Sequence, residues 1–194
     1  MRSTPVLTDR PGIFSRVSQG VVRAEMALGG GLVAVIFMLL LANVASRALG
    51  RPLIWTDELA VHLMVWLAFI GASVGIAHGD HMAIDLLSDR LSPKKRLWLT
   101  LGIDVLVLAF LGVISGIVWL WLDPIGLLRA GSGTALARDT YNFVYTNPTL
   151  TLGVRKIWFW LIVPLCCLTG ILHCFAALLN NLTRCRAGQN TAIS

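Results

Sequence analysis

Residues 26–46 read MALGGGLVAVIFMLLLANVAS, and this stretch decides the fold class. It contains no Asp, Glu, Lys, Arg or His. The hydrocarbon core of a bilayer, about 30 Å thick, needs roughly 20 apolar residues at a helical rise of about 1.5 Å each. This stretch meets that length, and three more follow it. From Leu59 to Ala77 the one titratable side chain is His62. From Leu97 to Leu122 it is Asp104. From Ile157 to Leu179 there is no acid, Lys or Arg, though His173 lies there. A helix satisfies its own backbone hydrogen bonds, so it can cross lipid. The expected fold is therefore all-α integral membrane, with four transmembrane helices over 26–46, 58–77, 97–122 and 157–179. They form a membrane domain of residues 26–182, between a polar lead of 1–25 and a tail of 183–194.

Composition agrees: 56% of the residues are hydrophobic and 13% charged, against about 25% charged in soluble domains. The net charge of +6 would raise nucleic acid as a partner for a soluble chain. Here the basic residues flank the apolar blocks, so they set orientation and no nucleic-acid partner is expected. Arg2, Arg10, Arg16 and Arg23 precede span one. Arg90, Lys94, Lys95 and Arg96 lie between spans two and three, and Arg184 and Arg186 follow span four. The other links carry Arg47, Arg51, Arg129, Arg138, Arg155 and Lys156, spread more thinly. Both termini are expected in the cytoplasm. The first block starts too late and runs too long for a cleaved signal, whose apolar region is about 7–15 residues, so it is expected to be retained.

The links carry the remaining signals. Residues 13–26 show a modest amphipathic pattern at Ile13, Phe14, Val17, Val21 and Val22, as for a short interfacial helix. Gly50-Arg51-Pro52 breaks the chain after span one, and Thr56-Asp57-Glu58 reads as a helix start with a capping hydroxyl. After Gly79, a stripe of Ile84, Leu87 and Leu91 predicts a short amphipathic surface helix between spans two and three, ended by Ser92-Pro93. The link 123–156 is rich in Gly, Arg and Thr and predicts no definite fold, beyond an interfacial segment around Tyr141, Tyr145 and Asn147-Pro148. Trp119, Trp121, Trp158 and Trp160 fit aromatic belts.

In span two, Trp55, Glu58, His62, Trp66, Phe69 and Ser73 follow steps of three and four and share one helix face. That face is more polar and aromatic than the rest of the span, and packing against another protein helix accounts for it. Asp104 lies seven residues beyond Leu97, about 10 Å into span three. A carboxylate at that depth must face protein or water or bind a proton. His78, His81, Asp80 and Asp85 have spacing too loose for a metal site, which needs three or four convergent ligands. Cys166, Cys167, Cys174 and Cys185 read as small packing residues. No phosphate loop, zinc-protease motif or serine nucleophile elbow occurs, so no enzyme is expected. Two other readings stay open: a membrane enzyme using His78, His81 and the cysteines, and a stand-alone exporter using Asp104.

The stretch from Arg47 to Leu91 resembles the small membrane subunit (DctQ-like) of tripartite ATP-independent periplasmic (TRAP) transporters. The features that carry the resemblance are Arg47 after span one, Trp55-Thr56-Asp57-Glu58-Leu59 at the start of span two, and Trp66 with Phe69-Ile70-Gly71-Ala72 within it. Gly79, His81 and Asp85 follow, then Leu86-Leu87 and Arg90-Leu91. His78 stands where the family often has Arg or Lys, and Asp57 replaces the first Glu. The resemblance implies a scaffold subunit of a sodium-driven importer of organic acids in the bacterial inner membrane. It implies a large multi-span permease as partner, a periplasmic solute-binding protein, and surrounding lipid. No cofactor is expected in this chain, since sodium coupling belongs to the large subunit. On that reading Arg47, Trp55, Glu58, His62, Trp66, Phe69 and Asp104 are candidates for subunit contact.

Overall fold

The structure, a computed structural model, describes residues 13–79 and 92–190. Among them lie seven helices: α1 (Ile13–Ala48), α2 (Ile54–His78), α3 (Pro93–Leu122), α4 (Pro124–Ala130), α5 (Gly133–Thr140), α6 (Ile157–Trp160) and α7 (Ile162–Asn190). The four long apolar segments, with α6 and α7 forming the last, are long enough to cross a bilayer. The expected surface helix after Gly79, with His81 and Asp85, lies outside the described residues.

The span boundaries differ from the sequence reading at the first helix. Residues 13–25 do not form a separate interfacial helix but are the first turns of α1. Nothing at Glu25-Met26 breaks a helix, and α1 runs 36 residues, about 54 Å at helical rise. Its buried positions Ser18, Val22, Gly29, Leu32, Ile36 and Asn43 keep steps of three, four or seven, so one continuous stripe faces the bundle.

A five-residue link joins α1 to α2. Gly50 adopts φ of 73°, a left-handed conformation that glycine takes without steric cost. The bonds Gly50 N–H to Arg47 O and Arg51 N–H to Ser46 O close the end of α1, the pattern of a Schellman cap. The start of α2 also differs from expectation. The helix begins at Ile54, and the Thr56 hydroxyl donates to the Leu53 carbonyl at 2.6 Å rather than capping an amide. Ser46 Oγ instead accepts the Leu53 amide across the link at 3.2 Å. At the other end, Gly79 at φ of 66° caps α2, which gives the glycine of the Gly-x-His motif its physical reason.

The bundle is organised around α7. Helix α1 packs along α2, α3 packs chiefly along α7, and α7 also touches α1 and α2. Leu32, Ile70 and Ile162 form the central apolar cluster, with Trp66, Leu67 and Phe69 against it. The α6–α7 junction falls at Leu161, three residues before Pro164. Proline lacks the amide that would bond the Trp160 carbonyl, so the helix is irregular there while Leu161 stays in the right-handed region. Gly170 lets α7 approach its neighbours: a Cβ there would sit 3.3 Å from Leu111 Cδ1 and 3.5 Å from Ile76 Cδ1.

The link 123–156, unassigned from sequence, folds into a cap over the ends of α3 and α6. Leu136, Ala137 and Val144 are its buried apolar residues. The Asn142 side chain donates to Trp121 O at 2.9 Å and the Tyr145 hydroxyl to Leu122 O at 2.6 Å. Burial and the Asp123 carboxylate push the Tyr145 hydroxyl pKa above its usual value. Its proton therefore stays on to donate this bond through the neutral range.

Gly170→Leu is expected to destabilise the bundle by about 1–3 kcal/mol through overpacking. Gly170→Ala should cost little, because the Leu111 methyl can move and alanine favours the helix. Equilibrium unfolding of both variants in detergent checks the difference.

Candidate functional site

The polar and aromatic face of α2 is built as the sequence spacing requires, and the structure turns it toward this chain's own fourth span. Trp66 Nε1 donates to the Phe159 carbonyl at 2.8 Å. His62 stacks on the Phe159 ring at a centroid distance of 4.1 Å. Its Nε2 is buried without a hydrogen-bond partner among the described residues. Phe69 joins the central cluster, and its carbonyl accepts the Cys166 thiol at 3.1 Å. Trp55 stays substantially exposed.

Glu58 does something that spacing did not reveal. Its carboxylate accepts the Leu150 amide at 2.7 Å, the Thr151 amide and hydroxyl at 2.6 Å each, and the Leu152 amide at 3.2 Å. Charge-assisted bonds of this kind are about twice as strong as neutral ones. One side chain at the start of α2 thus holds the turn before span four. The antiparallel bridge between Pro148 and Arg155 and the Thr149–Val154 bonds complete that turn.

At the same end, Arg47 Nε donates to Asn43 Oδ1 at 2.7 Å and Arg47 Nη2 to Asp57 Oδ2 at 2.8 Å. The Asn43 amide donates to the other Asp57 oxygen. Arg47 therefore ties the end of α1 to the start of α2 through Asp57.

At the opposite end lies a network the sequence reading missed. Glu25 Oε1 accepts the Ser73 hydroxyl at 2.7 Å, and Glu25 Oε2 pairs with His173 Nε2 at 3.2 Å. The other imidazole nitrogen meets Ser18 Oγ at 2.7 Å, and Ser73 meets Thr169 at 2.8 Å. Helices α1, α2 and α7 meet here, and His173 is only 1% exposed. The available signal was the heptad: Ser18, Val22, Glu25, Gly29 and Leu32 continue the span-one stripe backward past the edge of the uncharged block.

Asp104 is buried against α7, where Asn181 Nδ2 donates to Oδ2 at 2.7 Å and the Cys174 thiol to its carbonyl at 3.1 Å. Asp104 lines a cavity of about 380 Å³ with Ser18, His78, Thr100, His173 and Asn181. Cys166, Cys167 and Cys174 are free thiols. Of the loose set weighed for a metal, His78 bonds the Val74 carbonyl at 2.9 Å, and Asp80, His81 and Asp85 lie outside the described residues.

A family model described as tripartite ATP-independent periplasmic transporters, DctQ component, matches residues 36–184. The chain belongs to this family of TRAP small permease subunits. The C4-dicarboxylate TRAP transporter small permease protein DctQ of Rhodobacter capsulatus is 42% identical over 67 residues, 34% of this chain and 29% of that protein. The sialic acid TRAP transporter small permease protein SiaQ of Vibrio cholerae is 32% identical over 84 residues, 43% of this chain and 49% of that one. The sialic acid TRAP transporter permease protein SiaT of Haemophilus influenzae is 36% identical over 86 residues, 44% of this chain but only 14% of that protein. The chain thus spans less than half the length of each of these relatives. The TRAP family is one of transport proteins rather than enzymes, and this member is a multi-pass membrane protein.

Glu58→Ala is expected to release the Leu150–Leu152 turn. Amide exchange several-fold faster at Leu150, Thr151 and Leu152 is expected. Exchange measured by mass spectrometry in detergent checks it, with α7 amides as the unchanged reference. Glu25→Ala should act more widely, since it strips buried His173 and Ser73 of their shared carboxylate partner. A destabilisation of about 1–3 kcal/mol is expected, read as a lowered unfolding midpoint.

Proposed function

We propose that this chain is the small scaffold subunit of a sodium-gradient-driven TRAP transporter. The transporter imports an organic acid, a dicarboxylate or related carboxylate, across the bacterial inner membrane. The observation that carries this reading is the family match over residues 36–184, which reaches all four spans. Relatives named for C4-dicarboxylate and for sialic acid favour a carboxylate substrate. The match to only 14% of SiaT favours a large permease partner, because there a segment like this one forms a small part of a much longer permease chain. A periplasmic solute-binding protein completes the proposed system. The substrate and sodium sites fall to the large subunit, and this chain carries no cofactor of its own.

The geometry supports the role of a brace. Glu58, His62, Trp66, Phe69 and Asp104 fix this chain's own helices against each other, and in this proposal they support the partner surface from behind. Arg47 and Trp55 remain accessible and are proposed to touch the large subunit directly. The denser basic flanks favour both termini in the cytoplasm, and in this proposal the cap over residues 123–156 faces the periplasm.

Two measurements test the proposal. Affinity purification of the tagged chain in mild detergent is expected to bring a large multi-span protein in stoichiometric amount. Deletion of the chain is expected to abolish carboxylate uptake. A chain that purifies alone, with uptake unchanged by its deletion, overturns the proposal.

A further inference from the structure

The short helix α4 leaves the end of span three in a manner that assigns it a surface of its own. Asp123 breaks the helix axis with φ of 41°, caps α4 through the Gly126 amide at 2.9 Å, and Pro124 starts the new helix. The chain then returns to the same level. Gly133, at the start of α5, lies so close to Tyr145 that a Cβ would be 2.7 Å from the Tyr145 Cβ. The Tyr145 hydroxyl in turn holds the last carbonyl of α3. Helices α4 and α5 are therefore kept beside the end of the span, where Trp119 and Trp121 mark the headgroup level.

The outward side of α4 has a definite chemistry. Ile125, Leu128 and Arg129 share an arc of about 100° at helical spacing. All three are exposed, Leu128 at 82%. Leu128 stands at one edge of the arc and Arg129 at the other. Leu120, on the last turn of α3, is also exposed. A soluble environment gives no reason for such a side chain beside a lipid-spanning helix. A bilayer does: the apolar edge enters the acyl boundary, and the guanidinium snorkels to phosphate.

We propose that α4 is an interfacial helix seated in the phospholipid headgroup layer, with Leu128 in the acyl boundary and Arg129 at lipid phosphates. The membrane is the occupant because the exposed apolar residues of α4 follow directly on those at the end of span three, Ile117 and Leu120, and its one arginine complements phosphate. The helix extends the footprint of the subunit sideways from α3, the span that packs chiefly on α7 alone. This inference rests on the membrane-spanning fold and not on the transport proposal.

The test uses the full chain in vesicles of phosphatidylethanolamine and phosphatidylglycerol. Nitroxide labels are placed by Leu128→Cys and Ser132→Cys in a background with Cys166, Cys167, Cys174 and Cys185 replaced. The ratio of collisions with oxygen to collisions with a water-soluble nickel complex is expected to be about fivefold higher at 128 than at 132. Equal ratios overturn the proposal by placing Leu128 in water. Low accessibility to both reagents also overturns it, since protein then covers the site. A photoreactive benzoylphenylalanine at 128, with the native cysteines kept, gives a second reading. An adduct of phospholipid mass supports the proposal, and an adduct to protein alone overturns it.

Discussion

The bundle depends on the pairing of Glu25 with His173 and Ser73. In lipid, the hydrophobic effect does not drive helices together, since their apolar surfaces are equally content against acyl chains. Association rests on close packing and on polar groups that have no better partner. Glu25 meets that condition, because one carboxylate oxygen takes the hydroxyl of α2 and the other the imidazole of α7. Sliding any of the three helices by one residue would move a side chain about 1.5 Å along its axis and turn it by about 100°. The network would then lose its partners. Glu25 thus sets the register of α1, α2 and α7 together.

A second set of polar ties sits at the opposite end. Arg47, Asn43 and Asp57 join α1 to α2, and Trp66 and Glu58 join α2 to the segment entering span four. Between the two ends lies the apolar cluster of Leu32, Ile70 and Ile162. Glycines at the contacts, such as Gly170 against Leu111 and Ile76, bring backbones close enough for dispersion to contribute. Polar ends specify the register, and the apolar middle supplies the packing area.

The spans were legible because lipid imposes a length on them and penalises charge within that length. The same rule hid Glu25. Counting uncharged residues ends the first block at Met26, although the inward stripe of α1 runs on through half-buried Glu25 to buried Val22 and Ser18. The face of α2 was legible as a face, since its spacing is a property of one helix. What it meets was not legible, because Phe159 and Thr169 lie nearly a hundred residues away and no local signal names them. The cap failed for the same reason: its turn at Leu150 is shaped by a carboxylate on α2, and short-range propensity holds no record of it. The glycine of the Gly-x-His motif was visible as a letter, and the left-handed cap at Gly79 supplies its cause.

The long-range ties bear on the brace role proposed above. A brace must carry load from one face of the membrane to the other without its helices shearing. Here the turn at Leu150 is bonded to Glu58 at one end of α2, and Ser73 near the other end is bonded to Glu25 and Thr169. Helix α2 is therefore anchored at both ends to groups distant in sequence, and α7 shares in both anchors through Phe159 on its preceding turn and through Thr169. Displacement of the cap must either break the Glu58 bonds or move α2 as a rigid rod. The Glu58 bonds couple the two for as long as they hold. The cap, α2 and the inner polar network thus form one mechanical unit. Helix α3 joins this unit through α7 and through the Asn142 and Tyr145 bonds to its last carbonyls.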